Sequence, residues 1–233
     1  MSLLRSIRVK LRARQEQGFD LSHGIETVEY IPVAQLGMTG DVATDAGDYG
    51  ATFVADFARI MRHLDIDPAD YSFVDLGSGK GRALVLAHQA GFARVIGVEA
   101  DPGLCRIARD NLDHWSEGRH CPIEMVEQDA RKFEYPAGNL IVYLYNSFGG
   151  AVFDDVLATL IALARDKHRR LILVYNNNRL ADRVDATGAF DRRDLRPLIP
   201  WRRPTISFFT AIPPADPSSR VALAASTAGK FAA

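Results

Sequence analysis

The sequence predicts an α/β fold, with a doubly wound, mostly parallel sheet of seven strands and helices on both faces. Between residues 52 and 175, short apolar runs alternate with stretches whose apolar residues recur at helical spacing. The apolar runs show no polar alternation, as expected for strands that are buried on both faces. Two later runs, 190–195 and 205–212, are joined by proline-rich sequence without a helix, so we expect the last strand to be antiparallel.

The order of the elements follows from these patterns. Apolar periodicity marks the helices, and Asp101-Pro102 adds an N-cap side chain with proline at the first helical position. The predicted helices are 52–64, 82–89, 102–114 and 152–164. The predicted strands before the two final runs are 71–76, 94–99, 123–127, 140–145 and 170–175. Repeated strand–helix units predict parallel strands with right-handed crossovers.

The chain is expected to divide into a helical and irregular lead-in (1–50), a main domain (51–213) and a flexible tail (214–233). The first fifteen residues are rich in arginine, and two interpretations of them stay open. They form either an ordinary helix that packs Leu4, Ile7 and Leu11 on the body, or a basic targeting or membrane-surface helix.

Length and charge limit the classes of function. The chain has 233 residues, of which 47% are hydrophobic and 24% charged, and its net charge is -1. This length suits one domain with a sizeable core, and a charge so close to zero does not steer the protein toward nucleic acid or anionic membrane. Basic residues concentrate in the first twenty residues and in 161–205, where a solvated face is a simpler interpretation than an acidic partner.

Cysteine usage and hydropathy indicate an intracellular setting. Cys105 and Cys121 are too few for a disulfide framework, and we expect both to be small buried hydrophobic residues. No apolar run approaches the roughly 18 residues that span a bilayer, so we expect no transmembrane segment and a cytoplasmic location. No group of histidine, cysteine or acidic residues has the spacing of metal ligands, so we expect no metal.

A glycine-rich turn follows the first strand of the main domain. The strand 71–76 runs into the pentapeptide GSGKG (77–81) and then directly into a helix. Glycine at the first, third and fifth positions permits positive φ and lets the backbone approach a ligand with no Cβ in between. Free N–H groups at the start of the helix favour an anionic group, and doubly wound sheets bind their cofactors at this place.

Three ligands are candidates for this turn. A phosphate-binding P-loop needs Ser or Thr after Lys80, but Gly81 stands there. A dinucleotide site needs glycine where the chain has Arg82, because helix and strand pack closely at that point. S-adenosylmethionine fits Asp75, whose carboxylate would lie near the methionyl ammonium. The turn can also simply be tight and bind nothing.

Two acidic residues after the next strands extend the pattern. Glu99 ends the second strand of the main domain, where a carboxylate about 20 residues after the glycines can accept hydrogen bonds from both ribose hydroxyls. An NAD-dependent enzyme would use it in the same way, and it can also only cap the following helix. Asp129 can accept a hydrogen bond from an adenine amino group with the Ala130 backbone alongside, or it is only a turn residue.

These residues resemble the class I S-adenosylmethionine-dependent methyltransferases. The matching segments are VDLGSGKGR (74–82), the strand VIGVE that ends in Glu99, Asp129, and YNSFGG (145–150), and the resemblance covers 50–212. Within that superfamily the chain is most similar to small bacterial and protein-lysine methyltransferases. The resemblance implies a Rossmann-like sheet, S-adenosylmethionine as cofactor and S-adenosylhomocysteine as product. The cofactor-binding residues that it implies are Asp75, Gly77, Ser78, Gly79, Gly81, Glu99, Asp129, Ala130, Asn146 and Tyr49.

Two segments match the family's motifs only in part. Tyr49-Gly-Ala-Thr52 occupies the place of a Tyr-x-Pro-Thr element near the cofactor but lacks its proline. Asn146-Ser147-Phe148 resembles an Asn-Pro-Pro-aromatic motif whose amide oxygen accepts a hydrogen bond from the target nitrogen, but both prolines are missing. The resemblance assigns Asn146 and Phe148 to positioning of the acceptor; otherwise Asn146 only ends a strand.

The resemblance implies methyl transfer to a nucleophile, and Asn146 favours an amine. A protein lysine ranks slightly above a small molecule, and nucleic acid stays open but is not favoured. Two alternatives remain: a non-catalytic cofactor-binding module of the same fold, and an NAD(P)-dependent oxidoreductase. The further residues expected to line the acceptor site are Tyr143, Tyr145 and the run Asn176-Asn177-Asn178.

Overall fold

The computed structural model describes residues 3–116, 121, 123–197 and 205–212, and the tail expected at 214–233 lies outside them. In chain order, its strands are β1 (Tyr30–Ile31), β2 (Tyr49–Gly50), β3 (Tyr71–Leu76), β4 (Arg94–Glu99), β5 (Ile123–Glu127), β6 (Asn139–Tyr145), β7 (Leu171–Asn176), β8 (Phe190–Asp194) and β9 (Ile206–Ala211). Its helices are α1 (Leu3–His23), α2 (Gly40–Asp45), α3 (Val54–His63), α4 (Arg82–Gln89), α5 (Pro102–Ser116), α6 (Gly150–Ala164) and α7 (Ala181–Asp185). Within these ranges, no helix combines the length and the apolar character that crossing a membrane requires.

Seven strands form one sheet in the order β5-β4-β3-β6-β7-β9-β8. Strands β3 to β7 are parallel, whereas β9 pairs antiparallel with both β7 and β8. The predicted sheet, mostly parallel with an antiparallel last strand, is therefore confirmed. The chain winds from β3 to β4 and β5 on one side and continues with β6 and β7 on the other. The carboxyl end of β3 thus lies where the winding reverses, which is the usual place of a ligand crevice.

Helices cover both faces of the sheet, and successive strand residues alternate between two apolar layers. On β3, Phe73 packs in the layer with α3, α4 and α5, and Val74 packs in the layer with α6 and α7. Because both faces are covered, the strands need no polar side, which explains their apolar runs. Cys105 is fully buried, as predicted, whereas Cys121 is half-buried, and neither forms a disulfide.

The first helix turns a polar face toward the domain. Leu11 is 59% exposed, so the prediction that it packs on the body is wrong. Glu16, on another face of α1, is buried in an ion pair with Arg82. The side chains of Leu4 and Ile7 lie outside the described part of the structure. A buried ion pair thus helps to determine which face of α1 points inward.

The lead-in returns to the carboxyl edge of the sheet and is fastened there by hydrogen bonds. The Gly47 N–H donates to the Ser147 carbonyl (2.8 Å), and the Gly149 N–H donates to the Asp45 carbonyl (2.7 Å). The Asp45 carboxylate also accepts from the Val152 N–H at the start of α6 (3.0 Å). The segment that the sequence marks as irregular therefore forms one wall of the crevice at this edge.

Candidate active site

The glycine-rich turn adopts the backbone conformation that its sequence predicts. Gly77, Gly79 and Gly81 have φ values of 75°, 55° and 88°, in the left-handed region. A Cβ added to Gly77 would lie 2.3 Å from the Ser147 Cβ, and a Cβ added to Gly79 would lie 2.3 Å from the Tyr49 ring. The first two positions therefore need glycine both for the backbone conformation and for the close approach of their neighbours.

The turn leads into α4 without a side-chain cap. Gly81 is the N-cap residue and has no side chain that could accept from the first-turn N–H groups. Arg82 and Ala83, the first residues of α4, line a cleft beside the turn. Together with the positive end of the helix dipole, this arrangement suits a carboxylate or another anionic group. The turn is also fixed against β4, because the Ser78 N–H donates to the Val98 carbonyl (3.1 Å).

Asp75 is a buried carboxylate without a partner. It lies near the end of β3, is 3% exposed and lines the cleft beside the turn. Among the described residues, none donates a hydrogen bond to its carboxylate or forms an ion pair with it. Burial, and in second place repulsion from Glu99, raises the pKa of Asp75 well above its usual range. A positively charged ligand group would remove this penalty.

Glu99 lies near Asp75 at the end of β4, but its carboxylate has partners. One oxygen accepts from the Gly79 N–H (2.8 Å), and the other accepts from the Ala100 and Asp101 N–H groups (2.9 Å each). Burial raises the pKa of Glu99, and these three donors oppose the shift without cancelling it. Because a carboxylate has about four acceptor positions, roughly one remains for a ribose hydroxyl. The predicted contact with both hydroxyls stays a prediction.

Two aspartates at the same edge act as caps. Asp101 caps α5 through its side chain, as predicted. Asp129 accepts from the Arg131 N–H (2.9 Å) at the short 3-10 turn Ala130–Lys132, and it forms an ion pair with the Arg131 guanidinium (2.6 Å). Burial raises the pKa of Asp129, but Arg131 outweighs it and the pKa is lowered overall. Asp129 and Ala130 also line the cleft, and the adenine contact stays a prediction.

These groups surround one crevice at the carboxyl edge of the sheet, which we call the first cleft. Its empty space, including open solvent at the mouth, is about 840 Å³. Of the ten predicted cofactor residues, Gly81 and Asn146 do not line it, and the other eight do. The lead-in contributes Leu36, Met38, Val42 and residues 46–50 to the lining of this cleft, and Ala51 and Thr52 continue it.

Tyr49 covers the glycine-rich turn from the lead-in side. Its ring lies against Gly79, and its hydroxyl donates to the Thr27 carbonyl (2.9 Å). Thr52, at the other end of the same tetrapeptide, shares a hydrogen bond with the buried Tyr143 hydroxyl (3.0 Å). The element that resembles Tyr-x-Pro-Thr is therefore next to the turn although it lacks the proline.

Arg82 is the centre of a buried ionic network that the sequence analysis missed. Its guanidinium forms ion pairs with Glu16 and with Asp20 (2.8 Å), and its Nε donates to the Thr27 hydroxyl (2.6 Å). All four residues are buried. A signal existed, since Glu16 and Asp20 lie four residues apart on one helix face. The network holds the lead-in against the start of α4.

Lys80 is also buried, but it does not line the first cleft. Its Nζ forms ion pairs with Glu29 (2.6 Å) and Glu26 (3.2 Å), both in the lead-in. In a P-loop the lysine would reach the phosphates of the ligand. The position of Lys80 is therefore consistent with the exclusion of a P-loop.

A second cleft adjoins the first. Its empty space is about 1420 Å³ up to the open mouth. The residues common to both clefts include Gly47, Asp48, Gly50, Ala51 and Tyr145. The residues that line only the second cleft include Glu16, Tyr30, Phe53, Asn146, Asn177 and Arg179. The two clefts thus adjoin each other at the end of the sheet and share part of their lining.

The residues predicted to meet an acceptor are distributed over both clefts. Asn146 and Asn177 line the second cleft, Phe148 lines the first, and Tyr145 borders both. Tyr143 is fully buried and borders neither, so the prediction that it lines the acceptor site is wrong. Its hydroxyl is directed into the core because it hydrogen-bonds with two buried polar side chains.

Residues 73–165 match a family model that is described as a methyltransferase domain. The matched segment runs from β3 through α6 and contains the glycine-rich turn, Asp75 and Glu99. This part of the chain is therefore similar to a methyltransferase domain. The match confirms the predicted likeness to methyltransferases, the sheet order confirms the Rossmann-like fold, and S-adenosylmethionine is the cofactor that this likeness implies. The narrower likeness to small bacterial and protein-lysine methyltransferases stays a prediction.

Several solved methyltransferase structures are similar to this chain. A putative RNA methyltransferase from Pyrococcus horikoshii has 15% identity and a TM-score of 0.49, over 78% of this chain and 95% of that one. An RNA methyltransferase from Salinibacter ruber in complex with S-adenosyl-L-homocysteine has 20% identity and a TM-score of 0.43, over 72% of this chain and 96% of that one. The ribosomal protein L11 methylase from Lactobacillus delbrueckii subsp. bulgaricus has 15% identity and a TM-score of 0.44, over 67% of this chain and 75% of that one. Similarities at this level carry no argument about the methyl acceptor. No curated protein matches the sequence.

Proposed function

We propose that this protein binds S-adenosylmethionine in the first cleft and transfers the methyl group to an amine. The observation that carries the proposal is Asp75, a carboxylate that is 3% exposed, lines the cleft beside the glycine-rich turn and has no partner among the described residues. A buried charge without a partner is costly. The ammonium of a methionyl group supplies the missing counter-charge.

The surrounding residues fit the other parts of the cofactor. The backbone of 77–81 and the N-terminus of α4 suit the methionyl carboxylate. Glu99 keeps one acceptor position for a ribose hydroxyl, and its three backbone donors hold it in place. Asp129 and Ala130 line the cleft at the carboxyl edge beyond β5, where we place the adenine.

Methyl transfer requires the protein mainly to bind and orient the cofactor and the acceptor. The bound cofactor supplies an electrophilic methyl carbon on a sulfonium. Near-attack geometry between nucleophile and methyl carbon can lower a barrier by about 7–11 kcal/mol at the upper end, so a dedicated base is not required. An amine must be neutral to attack, and a desolvated site lowers its pKa. The Asn146 amide oxygen can accept an N–H of the amine without competing as a nucleophile. Phe148 and Tyr145 line the first cleft beside the path of the incoming amine.

A protein lysine is the acceptor that we favour. The second cleft is open to the surface, borders the first along the lead-in and Tyr145, and contains Asn146. A lysine side chain is long and unbranched, so it can enter such a cleft while its protein stays outside. A small-molecule amine is the second choice.

Calorimetry with S-adenosylhomocysteine and with NADH tests the cofactor. We expect tight binding of S-adenosylhomocysteine and no heat from NADH. NADH binding without S-adenosylhomocysteine binding would overturn the proposal in favour of an oxidoreductase. Both ligands probe the same cleft, so the two titrations serve as controls for each other.

Labelling of a host lysate tests the transfer. The protein is incubated with methyl-labelled S-adenosylmethionine and lysate, and protein, nucleic-acid and small-molecule fractions are separated. We expect label in protein, recovered as methyl-lysine after acid hydrolysis, and none with an Asp75→Asn variant. Label confined to nucleic acid would refute the amine acceptor, and tight cofactor binding without transfer in any fraction would indicate a non-catalytic module.

A further inference from the structure

Asn146 and Asn177 share a backbone conformation that is rare outside glycine. Their φ values are 50° and 53°, and among the described residues they are the two non-glycine residues with positive φ. Each directly follows the last residue of a strand, and these last residues, Tyr145 and Asn176, are paired across β6 and β7. Because neighbouring strands lie about 4.8 Å apart, the two asparagines are side by side where the sheet ends. Both line the second cleft.

The side-chain amides of these two asparagines are free to meet a ligand. Both residues are half-buried, and neither amide forms a hydrogen bond with a described residue. The side chains of the two asparagines next to Asn177 in the chain do form hydrogen bonds. Asn176 donates to the Tyr143 hydroxyl (3.0 Å), and Asn178 donates to the Ser207 hydroxyl (2.5 Å). The structure therefore divides three consecutive asparagines into two that hold the sheet end together and one that borders the cleft.

The second cleft offers side-chain oxygens that suit a ligand with N–H donors. The carboxylates of Glu16, Glu29 and Asp48 line it, although Arg82 pairs with Glu16 and Lys80 pairs with Glu29. One oxygen of Glu16 accepts no hydrogen bond from the described residues. Aromatic rings attract cations to their faces. The rings of Tyr30 and Tyr145 line this cleft, and so does the Phe53 ring, which the Arg12 guanidinium already covers (3.3 Å to the centroid).

We propose that Asn177 and Asn146 form an amide pair that binds both N–H groups of a primary amine and thereby selects an unmethylated acceptor. This inference rests on the proposed function and names the substrate class of the same site. A neutral primary amine has two N–H groups and one lone pair in a tetrahedral arrangement. When two amide oxygens accept both N–H groups, the lone pair is fixed in the remaining direction.

The same arrangement limits the number of methyl groups transferred. The nitrogen lone pair forms the new N–C bond, and the electron pair of the C–S bond stays with sulfur, which becomes a neutral thioether. The nitrogen then carries a positive charge and releases one proton to water. The monomethylated amine keeps one N–H and can use one amide, and a dimethylated amine keeps none. We therefore expect the first transfer to be the fastest.

Acid hydrolysis of labelled lysate proteins, with separate quantification of mono-, di- and trimethyl-lysine, tests the inference. The wild-type protein is expected to give mainly monomethyl-lysine. Asn177→Gly keeps a backbone that accepts positive φ but removes the amide. It should lower total label about tenfold, as expected for one lost hydrogen bond in the transition state, and lower the monomethyl share. Its affinity for S-adenosylhomocysteine should stay within about twofold of wild type, since Asn177 does not line the first cleft.

Two further variants separate the amide from a structural role. Asn177→Gln keeps a neutral amide oxygen that can accept an N–H, so it should recover part of the label lost in Asn177→Gly. Asn178→Ala removes the neighbouring amide, which bonds Ser207, and should keep the wild-type product distribution.

Three results would overturn the amide pair: wild-type yield and product distribution in Asn177→Gly, loss of S-adenosylhomocysteine binding in that variant, or mainly trimethyl-lysine from the wild type. The first and third leave the proposed function intact. A wild-type protein that labels no amine refutes the proposed function itself.

Discussion

Asp75 and Glu16 are buried carboxylates at neighbouring clefts, but their surroundings differ. Asp75, in the first cleft, has no partner among the described residues, whereas Glu16, in the second, is paired with Arg82. Burial raises the pKa of both groups; the Arg82 charge opposes this for Glu16, whereas the Glu99 charge adds to it for Asp75. Burial alone therefore does not identify a carboxylate that binds a ligand. We expect the missing counter-charge to do so, and the predictions below test this.

Removal of Arg82 should have the largest effect, because it turns paired carboxylates into unpaired ones. Arg82→Met leaves Glu16 and Asp20 buried without their counter-charge and should lower the free energy of unfolding by about 3–5 kcal/mol. Urea denaturation measures this loss. Arg12→Met is the control, because Arg12 is partly exposed and its contacts with Asp56 and with the Phe53 ring should each contribute less than about 1 kcal/mol.

The combined variant Glu16→Gln, Asp20→Asn, Arg82→Met sharpens the test. It removes the cation and both carboxylates together, so it should recover part of the stability lost in Arg82→Met alone. Equal losses in Arg82→Met and Arg12→Met would show that the buried network does not fasten the lead-in.

Replacement of Asp75 should have opposite effects on binding and on stability. Asp75→Asn removes the counter-charge of the ligand ammonium, so the Kd for S-adenosylhomocysteine should rise about 100-fold. The free protein should melt a few degrees higher, because a carboxylate whose pKa is raised by burial destabilises the fold when it ionises. Calorimetry and thermal unfolding measure the two effects.

The matched control for Asp75→Asn is Asp67→Asn. Asp67 accepts from the Ala69 N–H (3.0 Å) near the start of β3 and lines neither cleft. It should leave the affinity for S-adenosylhomocysteine unchanged. If Asp75→Asn binds as tightly as wild type, the missing counter-charge is not what identifies the site.

The pH dependence of binding should be the smallest effect. Because the pKa of Asp75 is raised in the free protein, part of the population is protonated below that pKa, and only the ionised form attracts an ammonium. Affinity for S-adenosylhomocysteine should therefore rise with pH, by at most about tenfold per pH unit, and level off once Asp75 is ionised. The free energy of unfolding changes in the opposite direction. It falls as the pH rises from the pKa of Asp75 in the unfolded chain to its raised pKa in the folded protein.

Calorimetry at several pH values, in buffers of different ionisation enthalpy, measures the proton that binding releases. Glu99 also has a raised pKa, so the comparison with Asp75→Asn isolates the contribution of Asp75. An equally steep pH dependence in that variant would assign the effect to another group.

The unit from β3 to α4 could be predicted from the sequence to the residue, because its determinants are local. The apolar run ends at Leu76, glycines supply the positive φ values that the turn requires, and the helix starts where they stop. The same holds for β4, which ends at Glu99 as predicted. That Asp75 lacks a partner depends on every residue around it and became visible only in the structure.

The role of the lead-in could not be predicted, because long-range contacts determine it. One of the two interpretations of the first helix placed Leu11 on the inner side, but Arg82 pairs there with the carboxylates of Glu16 and Asp20, more than 60 residues earlier in the chain. The residues of the acceptor site could not be predicted from local sequence either. Nothing local distinguishes Asn177 from the asparagines on either side of it until the backbone enters the left-handed region.

Gly47, Asp48, Gly50 and Ala51 line both clefts. Gly47 is also joined, through the Ser147 carbonyl, to the loop that carries Asn146. A shift of this short segment would therefore change the outline of both spaces at once.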